Sequence, residues 1–246
     1  MTRDPVPDRR RRDFLRSVAG VSTLLAMSRP VLAQTAAPLK IATIGAGHIG
    51  GTLGALWVKA GHPVIFASRH PEELKDMVAG LGPLAHAGTP AEAIAFADVV
   101  LLAVPYSAMK QIGQDFGKDL AAKVLVLDAS NPIVARDGDA ATWAREKGAG
   151  LATAELIPGV HLVRAFNAVG YMKVREDAAD PSKKIGMPMA GDDPKAIAIA
   201  STLVKEAGFE PVLIGPLAMG KYLIPGTPLG GEHTPDEIRQ IAAGLK

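Results

Sequence analysis

The chain has 246 residues, 27 Lys and Arg against 25 Asp and Glu, 48% apolar residues, 4% aromatics and no cysteine. No cysteine means no disulfide framework, no thiol catalysis and no cysteine-ligated metal. The length supports one substantial core, which must be built mainly from Ala, Val, Ile and Leu. Six histidines are scattered at positions 48, 62, 70, 86, 161 and 233, without HExxH spacing, so no metal site is expected.

Residues 9–16 read Arg-Arg-Arg-Arg-Asp-Phe-Leu-Arg, and 17–27 carry no charge. The pair Arg11-Arg12 before Asp13-Phe14-Leu15 resembles a twin-arginine export signal, with a small-residue cleavage site near Ala33–Gln34. The apolar run is too short for a stable membrane span. Residues 1–33 are therefore expected to be a signal peptide that sends the protein to the periplasm. This route handles folded, cofactor-loaded proteins. Those 33 residues hold seven Arg and three Asp, leaving 20 basic against 22 acidic residues in the remainder. No nucleic-acid surface is expected from that balance.

From residue 38 the pattern alternates strand and helix. A strand at 40–44 meets Gly45, Gly47 and Gly50 in GxGxxG spacing, and a helix follows from His48 or Ile49 to about Lys59. A strand at 63–67, a helix at 71–79 and a short strand near 84–85 come next. Thr89 then caps a helix with Pro90 at its first position. The nearly all-apolar strand 98–104 ends at Pro105, as expected for a strand covered on both faces. Residues 106–120 read as helix, 124–127 as strand and 140–148 as surface helix. Further strands are expected at 161–166, 187–190 and 211–214. Residues 170–185 read as loop with a short helix, 194–207 and 236–244 as helices, and 215–235 as glycine- and proline-rich loop.

Alternating βαβ units imply a Rossmann-type, doubly wound, mainly parallel α/β sheet with a small C-terminal extension. The division is a dinucleotide-binding domain at 38–167 and a substrate-cleft and capping segment at 168–246. The ligand belongs at the carboxyl ends of the strands, which gathers 45–50, 104–106, 128–132 and 167–171. The loop residues Gly45, Gly47, His48, Ile49 and Gly50 are expected to hold a pyrophosphate at a helix start. No carboxylate stands at the tip of the second strand. Ser68, Arg69 and His70 stand there instead and favour a 2′-phosphate, hence NADP over NAD. Val104 and Pro105 should line the cofactor path. Tyr106 either lines it too or covers the core. Ser130, Asn131 and Asn167 are positioning residues near the nicotinamide or second ring. Among them they offer no acid–base pair, so no catalytic residue is assigned beyond positioning. That suits hydride transfer to a conjugated ring, which needs two rings held face to face.

Together the pieces Ile44-Gly-Ala-Gly-His-Ile-Gly50, Ala67-Ser-Arg-His70, Leu102-Ala-Val-Pro105, Asp128-Ala-Ser-Asn-Pro132 and Val163-Arg-Ala-Phe-Asn-Ala-Val169 resemble the coenzyme F420-dependent NADP oxidoreductase family. So do Ala190-Gly-Asp-Asp193 and the stretch from Gly208 to Leu217. The resemblance covers roughly residues 39–230. It implies a small Rossmann enzyme passing hydride between NADPH and the deazaflavin F420, with flavin (FMN) as a related acceptor. It implies that Gly45 to Gly50 bind pyrophosphate and that Ser68 and Arg69 hold the 2′-phosphate. It further places Val104-Pro105 beside the nicotinamide and 165–167 in the ring cleft. Two other functions fit the same residues: an NADP-dependent reductase of a small imine or carbonyl compound, and a non-catalytic NADP-binding regulatory or scaffold protein. A homodimer, with the tail and 170–185 covering a neighbour's cleft, is also expected.

Overall fold

The computed structural model describes residues 1–2, 37–180 and 182–245. The expected signal peptide, save its first two residues, lies outside the described residues. Each strand of the folded unit, Ala37–Lys246, follows from an apolar run cut short by a turn former. The strands are β1 (Ile41–Ile44), β2 (Val64–Ala67), β3 (Ala85–Gly88), β4 (Val99–Leu102), β5 (Leu125–Asp128), β6 (Leu162–Arg164), β7 (Gly186–Gly191) and β8 (Glu210–Gly215). The helices are α1 (His48–Lys59), α2 (Lys75–Leu81), α3 (Pro90–Phe96), α4 (Met109–Ala121), α5 (Val134–Lys147), α6 (Ala149–Leu156), α7 (Tyr171–Ala178), α8 (Pro194–Glu206) and α9 (Pro235–Ala243).

The sheet order is β3-β2-β1-β4-β5-β6-β7-β8. β3 to β6 are mutually parallel, β7 runs antiparallel to β6, and β8 pairs in parallel with β7. Strand order reverses between β1 and β4, which opens the crevice where such sheets take ligands. Residues 168–246 thus extend the same sheet by two strands and lie within the same compact unit.

The period of two along each strand splits the core into two layers. Ile41, Val99, Leu101, Leu125 and Leu127 face α1, α2, α7 and α8. Ala42, Ile44, Val100, Leu102 and Val126 face α3, α4, α5 and α6. A third, smaller cluster joins Leu223, Leu229 and Ile238 of the tail to Ala190 and Val212. Burying each large aliphatic side chain contributes about 1.5–3 kcal/mol before chain entropy is charged.

Local signals set the helix starts. Thr89 and Glu92 form a reciprocal capping box on α3, Thr234 and Glu237 another on α9, and Asp193 caps α8. Two expectations are revised. The helix read at 140–148 begins at Val134 and bends at Gly138 (φ +56°), and α6 follows it without having been foreseen. The loop at 215–235 opens with a 3-10 turn, Leu217–Tyr222.

Helix α1 lies close on the sheet at Gly54, where a Cβ would lie 2.4 Å from the buried Phe66 ring. Gly54→Ala is expected to push α1 off the sheet and cost about 1–3 kcal/mol, a fall in Tm of about 3–10 °C. An unchanged thermal melt would show that this contact does not set the helix–sheet spacing.

Candidate active site

Three glycines shape the loop after β1, for different reasons. Gly45 has φ +94°, and a Cβ there would sit 2.5 Å from the Ala103 carbonyl oxygen at the end of β4. A Cβ on Gly50 would lie 2.0 Å from the Gly45 oxygen. Both glycines are demanded by the protein's own backbone. Gly47 is not: its φ is −75°, and a Cβ there would meet nothing within 4 Å. The exposed space over Gly47 lies at the start of α1, which has neither a side-chain cap nor an acidic residue in its first turn. Those features fit a dinucleotide pyrophosphate, bound by the helix-start N–H groups.

At the tip of β2, Ser68 is half-buried, and its Oγ accepts from the His70 N–H at 3.1 Å. Arg69 is exposed and forms no ion pair among the described residues, while His70 stands 3.4 Å from Glu72. Val104 packs beside Gly45, Pro105 is exposed, and Ile49 packs partly against the first core layer. His48 is exposed and stacks on Tyr171, with ring centroids 4.2 Å apart and planes at 10°.

Tyr106 lies in the core: it is 1% exposed, and its ring belongs to the second layer. The expectation that it lines the cofactor path is corrected for its side chain. Its hydroxyl meets Thr153 at 3.1 Å, and burial, with the negative Asp128 close by, pushes its pKa up to about 12. The Thr153 hydroxyl lies 2.8 Å from the Asp128 carboxylate and 3.0 Å from the Ala149 carbonyl; with its one proton on Asp128, it accepts from Tyr106.

This chain of donors ends on a carboxylate foreseen only as part of a turn. Asp128 is fully buried and also accepts from the Ser130 N–H, the Ser130 hydroxyl and the fully buried Arg164. The Ser130 hydroxyl is therefore committed within the protein. Arg164 and the Asn167 amide both donate to the Ser130 carbonyl, at 3.0 and 2.9 Å, and Asn131 donates to the Asn167 carbonyl at 2.8 Å. Segments 128–131 and 164–167 are thereby locked together at the carboxyl ends of β5 and β6. The side-chain Oδ1 atoms of Asn131 and Asn167 are buried and have no donor.

Two further supports were not read from the sequence. Asp137 accepts from Ser107 and from the Ile133 N–H, which ties the segment after β4 to the start of α5. Burial pushes the Asp137 carboxyl up, but Arg136 and those backbone donors outweigh it and bring its pKa down to about 2. Phe166 adopts φ +64° while buried, a backbone state that costs a non-glycine residue about 1–3 kcal/mol. Its ring is held edge-on by Trp57 and Phe209, at 6.3 and 6.2 Å. The only sequence-level signal for the ion pair was an arginine inside an apolar strand.

Gly47→Ala separates fold from binding. Its Tm is expected to match the parent, because nothing in the protein fills that space, while the dissociation constant for NADPH rises about tenfold or more. Calorimetric titration beside a thermal melt checks both. Undiminished binding would show that no ligand approaches Gly47.

The chain matches known proteins along this frame. Residues 40–132 match the family model described as NADP oxidoreductase, coenzyme F420-dependent. A hypothetical protein, SMa0349 from Sinorhizobium meliloti, is 31% identical over 80% of this chain and 95% of its own, with a TM-score of 0.68. A proposed F420-dependent NADP reductase from Arthrobacter sp. FB24 is 21% identical over 74% of this chain and 87% of its own, with a TM-score of 0.62. An imine reductase from Pseudomonas sp. is 15% identical at a TM-score of 0.54; the match covers 73% of this chain and 56% of that one. The last two show a shared fold. With the glycine loop, the carboxyl-edge cleft and 31% identity to nearly all of SMa0349, the chain belongs to that protein's family among the Rossmann-fold NAD(P)-dependent oxidoreductases.

Proposed function

We propose that this protein is an NADPH-dependent reductase whose acceptor is a small imine. The observation that carries the cofactor preference is the tip of β2, where Ser68 and the unpaired Arg69 occupy the place of a ribose-binding carboxylate. A guanidinium there pairs with a 2′-phosphate at two points. Bound in the cleft, NADPH supplies a hydride from its nicotinamide ring.

The acceptor class follows from how the two acidic groups beneath the floor of the cleft are engaged. Asp128 is wholly engaged by Ser130, Thr153 and Arg164, and Tyr106 is held in the core. Neither is free to protonate a developing alkoxide, which a carbonyl substrate requires. A protonated imine brings its own proton. Hydride adds to its carbon, the π pair moves to nitrogen, and a neutral amine leaves. Asn131 and Asn167 spend their amide N–H groups on the Asn167 and Ser130 carbonyls and so hold the floor of the cleft in place without offering it an acid.

A second reading is hydride transfer to F420 or to a flavin such as FMN. The match of residues 40–132 to the F420-dependent model favours it, and a stacked ring acceptor likewise needs no acid from the protein.

Arg69→Ala is expected to weaken NADPH binding about tenfold or more and NADH binding by less than about twofold. Equal loss for both would end the NADP assignment. For the acceptor, the protein is mixed anaerobically with NADPH and 1-pyrroline, F420 or FMN in turn. Loss of absorbance at 340 nm with 1-pyrroline is the expected result. Bleaching at 420 nm with F420 alone, or loss of NADPH with FMN alone, would select the second reading. Turnover of carbonyl compounds but not of 1-pyrroline would overturn the imine assignment.

A further inference from the structure

A cleft of about 780 Å³ lies along the outer face of α1, walled by α2 and α7. It runs from His48 at the first residue of α1 to Lys59 at the last, about 16 Å at the helical rise. The expected dinucleotide path takes a different direction, across the strand ends from Ser68 to Asn131. The two share the glycine-loop residues Ala46, Gly47 and His48 at the mouth. The mouth carries the stacked rings of His48 and Tyr171. Leu56 and Leu81 supply apolar walls. Lys59 and Arg175 stand at the rim, both exposed, and neither forms an ion pair among the described residues. Among the described residues, no carboxylate lines the cleft.

We propose that this cleft is a second binding site, for an amphipathic organic anion: a flat or extended apolar body carrying one carboxylate, sulfonate or phosphate. The volume falls within the range of about 300–1,000 Å³ common for small-molecule sites. Two cations without an ion-pair partner among the described residues give the anion its partners, and an arginine can grip a carboxylate or phosphate at two points. The Leu and Ala surface takes the apolar body. The His48–Tyr171 stack joins the first residues of α1 and α7, so an occupant touches the helix start that faces the cofactor. The site is independent of which acceptor is reduced.

The test uses the full chain and the fluorescent anion 8-anilinonaphthalene-1-sulfonate. With NADPH saturating, the dye should still bind at one equivalent, and decanoate should displace it while decylamine does not. Arg175→Glu and Lys59→Glu should each weaken dye binding about tenfold and leave NADPH affinity within about twofold. Both positions are exposed but stand in the last turns of α1 and α7, so each charge reversal is expected to lower the melt by only a few degrees, and Arg175→Gln gives a milder version of the same loss of dye binding. Four results would each overturn the proposal. NADPH could expel the dye one for one, which places the dye in the dinucleotide site. Both charge reversals could leave dye affinity unchanged. Decylamine could compete as well as decanoate. Dye binding could require dissociation of a dimer, which assigns the cleft to a second copy of the chain.

Discussion

The carboxylate of Asp128 has no contact with water, and every group turned toward it is a donor. An isolated buried charge would cost many kcal/mol, and breaking such a pair by removing one partner costs about 3–5 kcal/mol. Here Arg164, Ser130 and Thr153 meet the charge from three separate elements. β5, β6 and α6 therefore cannot shift independently. The 3-10 turn over Leu217–Tyr222 completes the burial: a Cβ at Gly220 would lie 2.8 Å from the Arg164 side chain, so glycine lets the turn close over the guanidinium. The C-terminal segment thus covers the charge on which the floor of the cleft rests.

Around that anchor, the site divides its work between backbone and side chains. The glycine-loop end is built from backbone: two glycines fitted against their neighbours and one that leaves room. The end over Asn131 and Asn167 is built from side chains whose hydrogen bonds run inward, to Asp128 and to the Ser130 and Asn167 carbonyls. A cleft of this kind holds position well and exchanges protons poorly. That is consistent with hydride chemistry in which the protein orients two reactants and excludes water.

The first half of the fold was legible because punctuation and pattern agree there. Pro, Gly and capping residues bracket each apolar run, and Thr89-Pro90 with Glu92 specifies a helix start before any packing is considered. The glycine loop was legible for the same reason. α5 was read only from residue 140 on and α6 not at all, because Gly138, Gly148 and Gly150 interrupt the pattern and alanine-rich α6 shows little difference between its faces. Tyr106 was ambiguous because an aromatic after a strand end serves a cleft or a core equally well. The burial of Arg164 was invisible: its partner is 36 residues away, and nothing local to a charged residue in a short strand announces a counter-ion. Asp137 was hidden likewise, since its acceptor role depends on Ser107, which only the tertiary fold brings near.

Phe166 carries a consequence for how this enzyme responds to heat. Its strained backbone sits between the arginine of the buried pair and Asn167, yet what holds it there is the ring packed between Trp57 of α1 and Phe209 before β8. Relaxation of that aromatic trio would let the peptide at 166 swing back to an ordinary conformation and carry Asn167 with it. Warming should therefore blunt catalysis over a range in which the sheet is still intact. A change at Trp57 or Phe209, remote from any ligand, should lower the temperature at which activity fades more than the temperature at which the protein melts.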